Sequence, residues 1–298
     1  MLPLEAVPNF SEGRDRATID AIGEALSSHA RLLDVHSDED HNRSVYTIVA
    51  GEDDLVAALL AGIACARERI DLRRHEGAHP RVGAADVVPV VPIAEEDAGR
   101  ARAAALELAR RVGGELALPV FLYGGLADGR GPAFFRRGGP AELQLRVDAG
   151  EVAPDFGPAQ LDERAGGVLV GTRFPLIAFN VDLAGDDLEA ARAVARAVRE
   201  RDGGFSGVRA LGLRLPRAGH VQVSLNVEDW RVSPLHEVVA AVCREARARG
   251  LQVTGSELVG LLPAGAAVAA AGSLLGVTDL DPSHVLELRL LGNEGGVR

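Results

Sequence analysis

The sequence contains no lysine: all 32 basic residues among its 298 are arginine. That one-sided choice reads as the base composition of a GC-rich gene and assigns no function. Cysteine is scarce too, with only Cys65 and Cys243, each inside an apparent helix. Two free thiols in a reducing cytoplasm fit this better than a disulfide or a cysteine-bound metal. No strictly apolar run reaches the roughly 18 residues that span a bilayer, and Glu5 stands early in the chain. A membrane protein and a secreted precursor are therefore not expected. The net charge of −11 provides no basic face for a phosphate backbone, which argues against a nucleic-acid partner. It leaves room for a small anionic substrate, because a few arginines converging in a cleft can bind carboxylates on an acidic protein.

What is present is globular composition, 47% hydrophobic and 25% charged, which a disordered chain would not carry. The length favours two compact parts, expected over 1–175 and 176–298. Strand and helix signals alternate: extended runs over Leu2–Val7, Leu32–His36, Ser44–Val49, Ala84–Val91 and Pro119–Tyr123, helices near Arg16–Ser28, Asp53–Ile70 and Glu95–Val112. The second half repeats the plan. The run 51–62 resembles 185–196, Asp86–Val91 is echoed by His220–Leu225, and Pro119–Tyr123 by Gln252–Ser256, at an offset of about 133 residues. The expected fold is α/β (α+β), two similar βαββαβ-like subdomains, each a sheet with helices on one face, facing across a substrate groove. Gly124–Gly167 breaks the pattern with glycine and proline, yet its aromatic residues predict an ordered, packed connection with a short helix near Phe134–Val147.

Chemistry concentrates in Arg73–Asp86, which places two histidines, several arginines and two acids between a helix and a strand. Such a stretch is either a polar turn capping a helix or a site built at a sheet edge. His75, Glu76 and His79 match the spacing of a zinc-protease helix, but Pro80 directly after His79 pushes that residue out of helical backbone, so no metal is expected. Asp34–Arg43 adds two histidines and four acids without the spacing of a calcium loop. Asn9, Ser11 and Glu12 either cap the following helix or belong to a site. Phosphate-loop and dinucleotide signatures are missing.

Seven blocks in order, VPNFSEGRD (7–15), HNRSVYTIV (41–49), HEGAHPRVGAADVVPVVP (75–92), PVFLYG (119–124), APDFGP (153–158), GTRFPLIAFNVDL (171–183) and VQVSLN (221–226), resemble the glutamate formiminotransferase family. The resemblance implies two α/β subdomains about a folate-binding groove. It implies transfer of a formimino group from N-formimino-L-glutamate to N5 of tetrahydrofolate in histidine degradation, with tetrahydrofolate as co-substrate. The second histidine of the HxGxHPR block is the family's catalytic residue, which lands on His79. The family's folate-contacting segment falls on about Gly157–Gly166, including Gly157 and Pro158. This chain departs there with LDERAGG, where relatives often carry His-Pro or Trp. Where some relatives hold an assisting aspartate this chain has His36, so Asp34 or Asp38 would take its place. The cyclodeaminase unit fused to some relatives is not expected, and a cytoplasmic homodimer is.

A mechanism follows as an expectation. One imidazole titrating near neutrality takes the proton from N5 and returns it to the departing amine. Glu12, Asp38 or Asp86 would meet the cationic amidine, and Arg43 and Arg81 the carboxylates of glutamate. Tyr123, Phe121 and Phe156 would wall the folate rings beside Gly124, and Asn180 and Asn226 either close strands or bond the pterin edge. Alternatives are formyl transfer from N-formylglutamate to the same folate position, a non-catalytic folate-binding protein, a zinc hydrolase, and a tandem α/β interaction module.

Overall fold

The structure, a computed structural model, describes residues 2–127 and 129–292. Helices begin where acids and caps favour them. Helix α1 (Arg16–Ser27) starts at Asp15, whose carboxylate accepts the N–H of Ala17 at 3.1 Å. Helix α2 (Glu52–Arg69) opens on Glu52, Asp53 and Asp54 and closes on Arg67 and Arg69, matching both ends of its dipole.

The chain divides into two compact units, Met1–Phe174 with Leu215–Ala218, and Pro175–Arg214 with Gly219–Arg298. In unit 1, β1 (Leu4–Ala6), β2 (Asn9–Phe10), β3 (Arg31–Asp38), β4 (Arg43–Ala50), β5 (Ala85–Val91), β6 (Val120–Gly124) and β7 (Val168–Thr172) form one mixed sheet. β1 and β2 share the lane between β4 and β5, antiparallel to both, and β3 pairs with the far side of β4. Beyond β5, β7 and then β6 pair in parallel. Helices α1, α2 and α3 (Ala98–Glu115) bury one face of this sheet, with Phe10, Tyr46, Ile48, Val88, Val120 and Val170 pointing into the core.

The opposite face is partly covered as well. Phe135 of α4 (Pro132–Arg136) and Leu143 of α5 (Gly139–Asp148) pack on Val87, Phe121, Tyr123 and Leu169. The expected helix near Phe134–Val147 is thus two short helices broken at Arg137 and Gly138. The expectation of helices on one face fails for unit 1, because this aromatic connection supplies a second layer.

Unit 2 is a four-stranded antiparallel sheet in the order β11 (Val253–Val259), β8 (Ile177–Leu183), β10 (His220–Val227), β9 (Val208–Leu215). Helices α6 (Leu188–Val198), α7 (Leu235–Ala248) and α8 (Ala264–Leu275) line one core against it. Its βαββαβ order matches β1/β2–α1–β3–β4–α2–β5 of unit 1, so the fold is mixed α/β with two similar subdomains. The internal correspondence read from sequence is corrected, however. α6 follows a first strand and matches α1, while α2 matches α7; likewise β10 matches β4 and β11 matches β5. Acid-opened helices after β-branched strands are a shared local solution, so they align out of register. Among the described residues no helix is long and apolar enough to cross a membrane.

Candidate active site

The segment from His75 to Val82 is not helical. His75 has φ −89° and ψ 124°, so His75 and His79 do not share a helical face as a zinc helix requires. The segment is instead strapped to the turn between β3 and β4. Ala78 N–H donates to the Asp40 carbonyl at 2.9 Å. Asn42, with a left-handed φ of 47°, donates through Nδ2 to the Glu76 carbonyl and accepts from Gly13 N–H, both at 2.9 Å. Gly77 lies so close that an added Cβ would sit 2.4 Å from the His41 carbonyl oxygen.

Arg81 closes the loop from inside. One of its nitrogens donates to the Gly77 and His79 carbonyls at 2.7 Å each, and another donates to Nδ1 of His75. His75 Nε2–H donates to the Asn42 carbonyl at 3.0 Å. Burial, and then the Arg81 charge, hold the His75 imidazole below its usual range. Arg81 therefore commits three of its five N–H donors to the loop.

His79 emerges half-buried with its tautomer fixed. A carbonyl can only accept, so the 2.8 Å contact to the Pro80 oxygen puts the proton on Nδ1. A guanidinium can only donate, so Nε2 offers its lone pair to Arg43 Nη1 at 2.7 Å. Burial lowers the pKa of His79 well below the usual value, and the charges of Arg43 and Arg136 and the neighbouring His41 lower it further. The His41 ring centroid stands 5.9 Å away. An imidazole balanced near neutrality is thus not what the structure contains, because two cations face it and no carboxylate bonds it.

Arg43, the first residue of β4, also donates to Oδ1 of Asn9, whose Nδ2 is anchored on the Val7 carbonyl at 2.6 Å. Burial, with Arg136 and Arg81 nearby, lowers the Arg43 pKa to about 9, which keeps it cationic at pH 7. Asp86 is buried; it accepts Val82 N–H at 2.7 Å and pairs with Arg136 of α4. Tyr123 is buried, and burial raises its phenol to about 12.

Sheet register shows which residues share a face. Asn9 stands opposite both Val45 and Val87, and Val45 opposite His36. Asn9 and His36 therefore lie on the face away from α1–α3, as does Tyr123, which packs with Val87. Asp34 is on the same face of β3, opposite Thr47, while Asp38 Oδ1 accepts His41 N–H at 2.6 Å. Glu12 accepts the N–H groups of Arg14 and Asp15 at 2.7 and 2.9 Å, which makes it a turn residue before α1.

The remaining expected site residues divide between the two units. Gly124 ends β6 at φ +61°. Gly157, at φ +80°, lies against Leu118, just before β6, and Gly113 of α3, and Pro158 beside it is exposed. In unit 2, Asn180 is buried and donates to Glu257 at 3.0 Å. Asn226 is exposed opposite Ala178, on the same helix-free face as Asn180.

Sequence reasoning missed Arg136, His41 and Asn42. Arg136 follows Phe135, and that aromatic residue, buried in the core, was the signal that its arginine is carried inward.

Comparison with known proteins then gives the following. Residues 3–173 match the model of the formiminotransferase domain, N-terminal subdomain, and residues 178–279 that of the formiminotransferase domain. A glutamate formimidoyltransferase of Thermoplasma acidophilum is 38% identical over 294 residues, covering 96% of this chain and 97% of that protein. One from Streptococcus pyogenes serotype M1 is 36% identical, covering 97% and 99%. A formimidoyltransferase-cyclodeaminase of Sus scrofa is 39% identical over 272 residues, 87% of this chain and half of that longer protein.

Proposed function

The chain belongs to the formiminotransferase family, and on that premise we propose that His79 carries the proton in its reaction. The enzyme is a glutamate formimidoyltransferase: it moves the formimino group from N-formimino-L-glutamate to tetrahydrofolate. N5 of tetrahydrofolate attacks the formimino carbon and a tetrahedral intermediate forms. Its collapse breaks the bond to the glutamate nitrogen and leaves 5-formimino-tetrahydrofolate and glutamate.

N5 must lose a proton and the departing nitrogen must gain one. His79 suits the first task because its Nε2 lone pair is fixed by the Nδ1–H bond to Pro80. Its lowered pKa keeps the base form populated at neutral pH. Once protonated, an imidazolium facing Arg43 and Arg136 is a strong acid, which suits it to hand the proton on. Arg43 must leave Nε2 for this to happen, and a substrate carboxylate is the group that draws it away. The remaining acceleration comes from holding the two substrates in register.

The observation that carries this reading is the neutral, single-tautomer imidazole of His79 beside a cationic arginine. Replacing His79 by Ala is expected to lower kcat by about 10²–10⁴ while folate still binds. A variant with wild-type turnover would end the assignment. The cytoplasmic setting, the homodimer and the boundary near residue 175 belong to the same proposal; sedimentation tests the dimer.

A further inference from the structure

Among the buried polar atoms of unit 1 with no hydrogen-bond partner in the described residues are Nε of Arg43, Nε of Arg136 and the hydroxyl of Tyr123. Their side chains feel one another's charge and share a single nearby carboxylate, Asp86. Asp86 is already engaged by Val82 N–H and by one Arg136 nitrogen. A purely structural Arg136–Asp86 pair would not need the rest. Buried N–H and O–H groups without acceptors cost free energy. Here the group holds two cationic N–H donors beside a phenol that can donate to a shared acceptor, and Tyr123 is 4% exposed. The complement to such a set is a group that only accepts and carries negative charge, which is a carboxylate.

We propose that Arg136, with Arg43 and Tyr123, forms the subsite that receives a carboxylate of the amino-acid donor, and that Arg136 sets the preference for a dicarboxylate. This rests on the transfer reading above for the donor's identity. The site's preference for a carboxylate rests on the orphan donors alone. Asp86 then acts as a positioning residue that aims Arg136 from β5. Arg81 is left out of the subsite because three of its donors hold the loop. Arg136 is brought in by Phe135, which is 1% exposed and packs on Phe121 with ring centroids 5.4 Å apart.

The test compares wild type, Arg136→Gln and Tyr123→Phe, with N-formimino-glutamate and with the two donors in which one carboxylate is a carboxamide. Wild type should discriminate against one of these amides. Arg136→Gln should raise KM for N-formimino-glutamate at least tenfold, change kcat less than threefold, and erase that discrimination. Tyr123→Phe, which removes one oxygen, should shift KM the same way by a smaller factor. A rise in KM for tetrahydrofolate alone would overturn the proposal, placing the folate's glutamyl carboxylate there instead. Equal losses with all three donors would overturn it too. Titration with L-glutamate by calorimetry separates the two readings. Glutamate binding that Arg136→Gln abolishes supports the subsite even if transfer is never seen. Unchanged glutamate binding in both variants, with melting temperatures intact, overturns it.

Discussion

Two contacts decide what His79 can do, and they lie on opposite sides of one ring. Pro80 fixes the proton on Nδ1 and Arg43 faces the lone pair on Nε2. Because burial, Arg43, Arg136 and His41 all depress its pKa, the free enzyme must lose activity only at a pH below the ordinary imidazole range. The acid limb of kcat/KM is therefore expected below about 6.5, with a flat region through neutrality. Arg43→Gln removes the nearest cation and should move that limb upward, whatever it does to the absolute rate. A limb at the same pH in both proteins would separate Arg43 from the titrating group. The residue identity of His79 was legible in its HxGxHPR block. Its charge state was not, because it is set by burial in the fold and by arginines 36 and 57 residues away.

At the scale of the element, the loop from His75 to Val82 holds its shape through Asn42 and Arg81 more than through its own backbone. Asn42 combines a left-handed backbone with two side-chain bonds, and two substitutions separate those roles. Asn42→Gly keeps the backbone and loses both bonds, and should cost about 1–3 kcal/mol with a fall in kcat. Asn42→Asp keeps the acceptor for Gly13 N–H and should cost less. Urea unfolding alongside turnover reads both. Strands and helices with local signals, such as the β-branched run of β5 and the acid-opened α2, were readable from the chain. Two features were not. β7 is an apolar run whose parallel partners are separated from it by most of an irregular segment. The Arg136–Asp86 pair joins a short helix to a strand across 50 residues, and no period in the sequence marks such a meeting.

For the molecule as a whole, the same imidazole links folding to pH. In the unfolded chain His79 takes a proton near its ordinary value, while in the folded chain it resists until the pH is lower. Between those two values the unfolded state binds more protons, so stability present above about 6.5 is lost as pH falls. Wild type should lose more melting temperature between pH 7.5 and 5.5 than His79→Gln, and equal losses would show the ring solvated and ordinary. The two-unit plan was legible because each half alternates strands and helices. The matching of elements between halves was not, since the first half carries α3, β6 and β7 beyond its βαββαβ unit.

That extension also sets an order in time. β7 is threaded between β5 and β6, although the chain makes it after both. While the protein is being synthesised, β6 can find no partner strand until residue 172 has left the ribosome. Until then the outer edge of β5 stays bare and open to the wrong neighbour. The first half of this enzyme therefore cannot finish folding by simple growth from its N-terminus; it must hold a vacant lane for a strand not yet made.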